Sequence, residues 1–382
     1  MPKNHDQQSR FERTAPYQIE SVERACRLMR ILQNESSLAL FELAEISQLS
    51  RPTVFRLMAT LQANGLVAKD GNRKYRLASG FSPGRRYKIG YLAETGETSF
   101  YRAVTRGLIE SAERAGVDLV VLNSQHSPDV ALVNVEKLLA ENVDLVMMFQ
   151  SYSQVAAVIA TRVSNRKMPL IAIEIPHPNA VYFGVDNCHA GLTAGRYLAH
   201  WAEQNWKGQV DEILLISSPS AGSLPEARLT GSLLGINEVL PNSTQAKIST
   251  LNGDWQFEMS HRAVTRHLRK SKATRTLVST IFDPSALGAL QAFKDADRLQ
   301  HCAIVGQNGS IESRLQMRNP NSRLVGSVAY FPERYGEQLI ALALDMLTQR
   351  VSIPNAVFIK HQLITPNNLK QHYGREIQTA MA

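Results

Sequence analysis

The sequence has little cysteine and no long apolar run, and each absence excludes a class of protein. Its 382 residues include only three cysteines, Cys26, Cys188 and Cys302, which are far apart and show no CxxC or Cys/His spacing. This usage indicates neither a disulfide framework nor a zinc site, and it fits a reducing, cytoplasmic setting. Apolar stretches such as 119–122 are far shorter than the roughly 20 residues that span a bilayer. The polar N-terminus lacks the apolar core of a signal peptide, so we expect a soluble, unexported protein with no membrane partner.

Recognisable catalytic motifs are absent as well. The sequence has no GxSxG, P-loop or HExxH motif, and Gly184, Gly191 and Gly195 are too widely spaced for a phosphate-binding loop. The histidines are scattered rather than spaced as metal ligands. We therefore predict a binding function with no catalytic residues, no metal and no cofactor.

Positive charge is concentrated at one end of the chain. Residues 1–88 hold 15 Lys and Arg against 8 Asp and Glu, whereas the remaining 294 residues hold 27 against 26. The net charge of +8 therefore resides almost entirely in the N-terminal part. A basic head on a nearly neutral body is expected when one end binds a polyanion and the rest has another partner.

The basic head begins with two amphipathic helical segments. In the first, the spacing i, i+3, i+4, i+7 predicts a buried face formed by Val22, Ala25, Cys26 and Met29. The second is short, and its apolar side chains are Leu40, Leu43 and Ala44. Both segments therefore predict helices that pack against a small common core.

A third helical segment carries the pattern of a DNA-reading helix. Ser50 is a favourable N-cap, Pro52 fits the first turn, and Asn64-Gly65 is a typical helix end. With the apolar stripe at 54, 57, 58 and 61 buried, the N-terminal part presents the polar and aromatic side chains of residues 51, 53, 55 and 56. Such a helix can enter the major groove of DNA. An Asp-Gly hairpin signal with basic residues at its tip follows at 69–74, and these cations suit phosphate contact.

Residues 19–80 resemble the winged helix-turn-helix of IclR-type regulators. The matching segments are ESVERACRLMRIL, FELAEISQLSRPTVFRLMATLQANGLV and the strand YRL that ends the hairpin. The resemblance implies that bases, phosphates and the flanking backbone are contacted by Ser50, Arg51, Thr53, Phe55, Arg56, Arg73 and Lys74. The alternative is a helical module that binds a protein partner rather than DNA.

The rest of the chain alternates between apolar strand patterns and helical patterns. Predicted strands are 87–93, 119–123, 145–149, 170–174, 212–216, 276–281 and 303–305, and predicted helices are 100–115, 130–141, 154–165, 189–205, 226–239, 257–269 and 286–293. This alternation predicts right-handed βαβ units and parallel sheets, and the number of strands favours two α/β lobes. Ligands of such sheets bind beyond the carboxyl ends of the strands.

The body resembles the ribose- and galactose-type periplasmic binding proteins and the effector domain of LacI/GalR repressors. The match extends over about residues 87–372, through SFYRAVTRGLIESAERAGVDLVVLNSQHSP, MPLIAIE, VYFGVDNCHAGLTAGRYLA, DPSALGAL, IVGQNG and GSVAYFPERYGEQ. It implies a ligand site made by Phe100, Tyr101, Glu174, Arg228, Trp255, Asp283, Asn308 and Tyr330. The chain departs from the family's sugar binders at Glu174-Ile175, Phe282, Asn308 and Tyr330, which implies a pocket with more apolar surface and fewer hydrogen-bonding groups.

Together these resemblances divide the chain into five parts. They are a disordered tail (1–18), a winged helix-turn-helix (19–80), a linker (81–88), an effector domain (89–372) and a second tail (373–382). The effector lobes are expected at about 89–186 with 331–360 and 187–330 with 361–372.

The expected protein is a ligand-responsive transcriptional regulator. We expect a repressor that binds double-stranded operator DNA as a homodimer and responds to a small-molecule effector, with a sugar or polyol as the best single candidate. Two heads on a two-fold axis read a pseudo-palindrome, whereas one head makes few phosphate contacts. Two alternatives remain open. One is a small-molecule-binding protein whose winged module contacts a protein partner, and the other is an enzyme on the same scaffold. DNA affinity that falls steeply with salt favours the regulator, and consumption of the sensed compound would favour the enzyme.

Overall fold

A computed structural model of the chain describes residues 19–35, 37–70, 74–78, 86–95, 98–150, 152–241, 245–348 and 352–374. The chain divides into two compact units, one comprising residues 1–86 with 345–352 and the other comprising 87–344 with 353–382. Among the helices described, none has the length and apolar content needed to cross a membrane.

The first unit is a three-helix module with a β-hairpin, as predicted. Its elements are α1 (Glu20–Asn34), α2 (Leu40–Ser47), α3 (Arg51–Ala63), β1 (Val67–Lys69) and β2 (Tyr75–Leu77), with β1 and β2 antiparallel. Leu28, Leu43, Val54 and Met58 are fully buried and form the centre of its core. Burial of one apolar stripe from each helix therefore holds the module together.

The predicted buried face of α1 is wrong for two of its four residues. Val22 is 55% exposed and Cys26 is exposed, whereas Leu28 and Leu32 are buried. The same i, i+3, i+4, i+7 spacing recurs three positions later, so periodicity alone cannot choose between the two stripes. The stripe with two leucines is buried because it removes more apolar surface from water.

The second unit contains two six-stranded sheets, each belonging to one lobe. The sheet of lobe 1 has the order β13-β7-β6-β5-β3-β4 with all neighbours parallel. Its strands are β3 (Lys88–Ala93), β4 (Asp118–Asn123), β5 (Leu145–Met148), β6 (Leu170–Ile173), β7 (Val181–Val185) and β13 (Ala356–Ile359). Its helices are α4 (Ser99–Ala115), α5 (Pro128–Ala140), α6 (Ser153–Asn165) and α12 (Tyr335–Thr348).

The sheet of lobe 2 has the order β14-β12-β11-β10-β8-β9, and only β14 is antiparallel to its neighbour. Its strands are β8 (Glu212–Ser217), β9 (Lys247–Asn252), β10 (Thr276–Thr280), β11 (Cys302–Asn308), β12 (Leu324–Ala329) and β14 (Gln362–Ile364). Its helices are α7 (Asn187–Trp206), α8 (Ser223–Val239), α9 (Phe257–Leu268), α10 (Asp283–Asp295), α11 (Ile311–Met317) and α13 (Leu369–Tyr373). The chain passes between the sheets after β7, after β12 and after β13, so the prediction of two α/β lobes is confirmed.

The glycines at 191 and 195 have a packing role. A Cβ at either position of α7 would lie 2.0 Å from a backbone carbonyl oxygen of α8, that of Arg228 or Ser232. Only glycine permits two helices to approach so closely. Their close contact places Arg228, on α8, beside the start of α7.

The sequence patterns missed five strands of the two sheets. They are β7, β9, β12, β13 and β14. β9 has polar residues at four of its six positions and is largely exposed at a sheet edge, so it lacks a continuous apolar run. β14 has three residues and β13 has four, which is too short for a period to register.

Candidate functional site

The exposed face of α3 carries the residues predicted to contact DNA. The Oγ of Ser50 accepts a hydrogen bond from the backbone N–H of Thr53 at 3.4 Å, which confirms the predicted N-cap. Val54 and Met58 are buried, whereas Arg51 and Arg56 are exposed and Phe55 is 53% exposed. The helix therefore presents two cations and an aromatic ring, which is the chemistry that reads base edges and phosphates.

The hairpin of β1 and β2 in the same module also carries a basic residue predicted to contact DNA, Lys74. Lys74 donates its backbone N–H to the carboxylate of Asp70 at 2.9 Å, and its Nζ lies 3.7 Å from a carboxylate oxygen of Glu42. The Lys74 side chain is 41% exposed, so it can reach a phosphate. Arg73 lies outside the described residues.

A cavity of about 660 Å³ lies between the two lobes, at the carboxyl ends of their strands. Both lobes supply aromatic and polar side chains to it. Six of the eight predicted ligand residues line this cavity, and they are Phe100, Tyr101, Glu174, Arg228, Trp255 and Asn308. Such an interlobe cavity is a default location for ligand binding in α/β folds.

Lobe 1 contributes an aromatic wall. Thr98 caps α4 by accepting from the backbone N–H of Tyr101, which fixes Phe100 and Tyr101 in the first turn. The Tyr101 ring lies against Phe149, with centroids 4.6 Å apart, and Phe100 meets Phe149 edge-on at 6.3 Å. Phe149 follows β5 directly, so the strand-end rule could have identified it, although it is not among the predicted ligand residues.

Lobe 2 contributes a second aromatic wall. Trp255 and Phe282 follow β9 and β10, and their rings lie 4.8 Å apart at an interplanar angle of 31°. Trp255 Nε1 donates to Ser220 Oγ at 2.9 Å, and Ser220 Oγ donates to Asp254 at 2.8 Å. These bonds fix the indole ring and use its only donor within the protein.

Several residues at the site have left-handed backbone conformations. The φ angles are +62° at Glu174, +63° at Trp255 and +100° at Asn308. A non-glycine residue with positive φ is uncommon and costs of order 1–3 kcal/mol when it is strained. The surrounding structure fixes all three residues in these conformations despite the cost. Such strained backbone conformations are concentrated at ligand sites.

A buried ion pair joins the lobes at the floor of the cavity. Arg228 of lobe 2 donates Nη2 to Glu174 of lobe 1 at 3.1 Å, Nε to Asn187 at 2.7 Å and Nη1 to the carbonyl of Ile281 at 2.9 Å. The second carboxylate oxygen of Glu174 accepts from the hydroxyl of Tyr335. Burial raises the pKa of Glu174, and the positive charge of Arg228 opposes that rise.

Two predicted ligand residues lie behind the cavity wall and do not line it. The Asp283 carboxylate accepts from the N–H of Ser310 at 2.6 Å and from the hydroxyls of Ser313 and Ser327 at 2.7 Å, and burial raises its pKa to about 6. Tyr330 donates its hydroxyl to Gln307 at 2.7 Å, and its ring lies 5.0 Å from the Arg228 guanidinium. Asp283 therefore positions Ser310, and Tyr330 lies against Arg228, both of which line the cavity.

Asn308 differs from these two because it lines the cavity with an unpartnered atom. Its side chain is 6% exposed, and its Oδ1 is buried without a hydrogen-bond partner among the residues that the structure describes. A buried acceptor without a donor costs about 1–3 kcal/mol. A ligand that donates to this oxygen would remove that cost.

Family comparisons agree with the two units. The family described as "Periplasmic binding protein domain" matches residues 89–350, and the family described as "IclR helix-turn-helix domain" matches residues 21–71. Both families consist of binding domains.

Individual relatives match the body of the chain. The ribose import binding protein of Haemophilus influenzae is 26% identical over 263 residues, covering 68% of this chain and 85% of that protein. The HTH-type transcriptional repressor PurR of Proteus mirabilis is 24% identical over 285 residues, covering 72% of this chain and 78% of that protein.

Solved structures match the same region. A periplasmic solute binding protein from Actinobacillus succinogenes with bound D-allose aligns with a TM-score of 0.65 at 17% identity, covering 75% of this chain and 100% of that chain. A solute binding protein from Bacillus halodurans with bound myo-inositol aligns with a TM-score of 0.64 at 15% identity, covering 76% and 98%. At these identities the likeness establishes the two-lobed fold alone.

Proposed function

Because the chain belongs to the periplasmic binding protein domain family and carries an IclR helix-turn-helix domain at its N-terminus, we propose that it is a repressor whose DNA binding is controlled by a sugar or polyol. In more general terms, the chain is a ligand-responsive transcriptional regulator. The observation that carries the proposal is the presence, in one chain, of a basic reading helix and an interlobe cavity.

The DNA contacts are assigned to α3 and the hairpin. Arg51, Phe55 and Arg56 are exposed on α3 near its N-terminus, and Ser50 and Thr53 lie in the same turn. Lys74 and the preceding Arg73 would contact the phosphate backbone. Buried core residues on the opposite face of α3 fix the orientation of this surface.

The assignment of a sugar or polyol rests on the cavity and on the relatives. Glu174, Arg228 and Asn308 offer polar groups, and aromatic rings of both lobes can stack on a ring-shaped ligand. The relatives include a ribose import binding protein, and solved neighbours hold D-allose and myo-inositol. The repressor role is supported by the relative described as a transcriptional repressor.

Control of DNA binding requires a difference in ligand affinity between two arrangements of the protein. The lobes already contact each other through the Glu174–Arg228 ion pair and through the bond from Ser99 Oγ to Glu312 at 2.9 Å. A ligand in the cavity touches residues of both lobes and stabilises one relative orientation of them. That preference would be transmitted to the heads through the segment 78–88.

We place the protein in the cytoplasm, where its DNA partner lies, and expect it to act as a homodimer without catalytic activity. The exposed apolar side chains of Ile19 (67%) and Val22 (55%), with exposed Cys26, form one stripe along α1. A second copy of this helix would bury that stripe.

The test is a mobility-shift titration of the full chain on DNA fragments that it selects from a genomic library, repeated at several salt concentrations. DNA recognition predicts an affinity that falls with a slope of about −0.9 per phosphate contact. Selection of no fragment above bulk DNA would favour the alternative, in which the winged module binds a protein partner.

A further inference from the structure

We propose that the ligand of the interlobe cavity is an uncharged glycoside that carries an aromatic or other flat apolar group beside its sugar ring. This inference rests on the proposed sugar-responsive function and narrows the chemical class of the effector. It predicts that free monosaccharides are weak ligands.

The cavity is larger than one sugar ring requires. Its volume of about 660 Å³ lies within the range of roughly 300–1,000 Å³ that encloses drug-sized ligands. A single pyranose ring fills only a fraction of that space. A second group of comparable size is needed to bring both walls into contact with the ligand.

Both walls of the cavity are aromatic. Phe100, Tyr101 and Phe149 line the cavity from lobe 1, and Trp255 and Phe282 line it from lobe 2. Phe257, Ile175, Pro284 and Leu287 add further apolar surface. One sugar ring needs one or two aromatic faces, whereas this cavity offers aromatic pairs on both lobes.

Most polar groups of the cavity lining are already bonded within the protein. Arg228 uses three N–H groups on Asn187, Ile281 and Glu174. Ser99 donates to Glu312, and Trp255 Nε1 donates to Ser220. A ligand with many hydroxyl groups would therefore bury several hydroxyls without a hydrogen-bond partner, and each of them would cost binding free energy.

The orphaned Oδ1 of Asn308 points to a hydroxyl donor. This acceptor belongs to a lining residue that is 6% exposed, and no described part of the chain donates a hydrogen bond to it. One sugar hydroxyl satisfies it, while the apolar part of the ligand occupies the aromatic walls. A ligand with no hydroxyl group would leave this oxygen unsatisfied.

The charge of the lining argues against an anionic ligand such as a sugar phosphate. Glu174 and Arg228 neutralise each other, and Glu258 and Glu312 add negative charge at the starts of α9 and α11. The N-termini of α9 and α11, which otherwise attract anions, therefore already carry a carboxylate in their first turn, whereas the N-terminus of α4 at the same cavity carries none.

The experiment is isothermal calorimetry of the full chain with matched series of three compounds. One series is D-glucose, phenyl β-D-glucoside and the 6-phosphate of that glucoside, and a second is built in the same way on D-galactose. The inference predicts that the phenyl glycoside of at least one series binds about tenfold or more tightly than its parent sugar, and more tightly than its phosphate.

Each other outcome overturns the inference. If free sugars bind as tightly as their glycosides, or the phosphates bind best, the inference fails while the proposed sugar response stands. If no member of either series binds, the sugar-responsive function and the inference that rests on it fail together.

Variants of the walls locate the effect. Phe282→Asn should weaken binding of the phenyl glycoside about tenfold more than it weakens binding of the parent sugar. Phe149→Leu tests the other wall with an apolar replacement that preserves the fold, and it should reduce the preference for the glycoside in the same direction. Phe358→Asn is the control, because Phe358 is 60% exposed on β13 and does not line the cavity. An unchanged preference in both wall variants would refute the assignment.

Discussion

Glu174→Gln tests the ion pair that joins the lobes. Glu174 is 4% exposed and Arg228 is 1% exposed, so the substitution leaves a guanidinium buried without its counter-charge. The amide preserves the shape of the side chain and one acceptor oxygen. The Arg228 bonds to Asn187 and to the Ile281 carbonyl also remain.

The expected magnitude follows from these contacts. Breaking a buried pair by neutralising one partner costs about 3–5 kcal/mol. Because the amide oxygen and two other acceptors still bond Arg228, we expect the lower end, about 3 kcal/mol. For a domain of this size each kcal/mol lowers Tm by roughly 2 °C or more, so the melting temperature should fall by about 6 °C.

A double-mutant cycle separates the pair from each side chain alone. Glu174→Leu with Arg228→Met replaces both charges by apolar groups, so its stability should be higher than the sum of the two single changes predicts. Circular dichroism melts of the four proteins provide the comparison. The reasoning is refuted if Glu174→Gln stays within about 0.5 kcal/mol of the wild type, or if the changes are additive.

Four further predictions address other parts of the molecule. The double variant Arg51→Ala, Arg56→Ala should abolish binding to the selected DNA in a mobility-shift assay and leave ligand binding intact. The control Arg106→Ala replaces an exposed arginine of the body and should change neither. Unchanged DNA affinity in the double variant would remove α3 from the interface. Trp255→Ala should weaken ligand binding by about tenfold or more in calorimetry without unfolding the chain, and an unaltered isotherm would exclude Trp255 from the cavity. Val22→Asp should weaken self-association in sedimentation experiments, with Val133→Asp, 54% exposed on α5, as the matched control; an equal effect of both would reject the α1 stripe as an interface. Although burial raises the pKa of Glu212, hydrogen bonds from His267, Ser249 and Ser271 lower that pKa to about 2. The ionised Glu212 therefore stabilises the fold above pH 4.5, its ordinary pKa, and this stabilisation is lost as the pH falls toward 2. The Tm difference between wild type and Glu212→Gln should shrink between pH 4.5 and pH 2, and a difference that grows there would contradict the prediction.

The fold could largely be predicted from local patterns. Ser50, the burial of Val54 and Met58, and the Asp-Gly hairpin are all local signals, and the structure confirms each element they predict. Alternation of apolar strands and helices likewise identified two parallel-sheet lobes. Short or polar edge strands such as β9 and β14 were missed because pairing with a neighbour, rather than their own sequence, makes them strands.

The candidate site was predictable in part. Strand ends and family resemblance named six residues that the structure brings together around one cavity. The sequence did not distinguish Asp283 or Tyr330, whose polar groups face neighbouring side chains rather than the cavity. That distinction depends on the direction of each side chain in three dimensions. The interlobe pairing of Glu174 with Arg228 also required the folded structure, because 54 positions separate them.

The central claim is that ligand binding in the body controls DNA binding by the head. Fluorescence anisotropy of the full chain on a DNA fragment that it selects, with and without a saturating glycoside from the calorimetric series, tests it most directly. We predict that the ligand changes the DNA dissociation constant by about 5- to 150-fold. Trp255→Ala should still bind DNA but should need about tenfold more ligand for the same response. An identical DNA affinity with and without bound ligand would contradict the account.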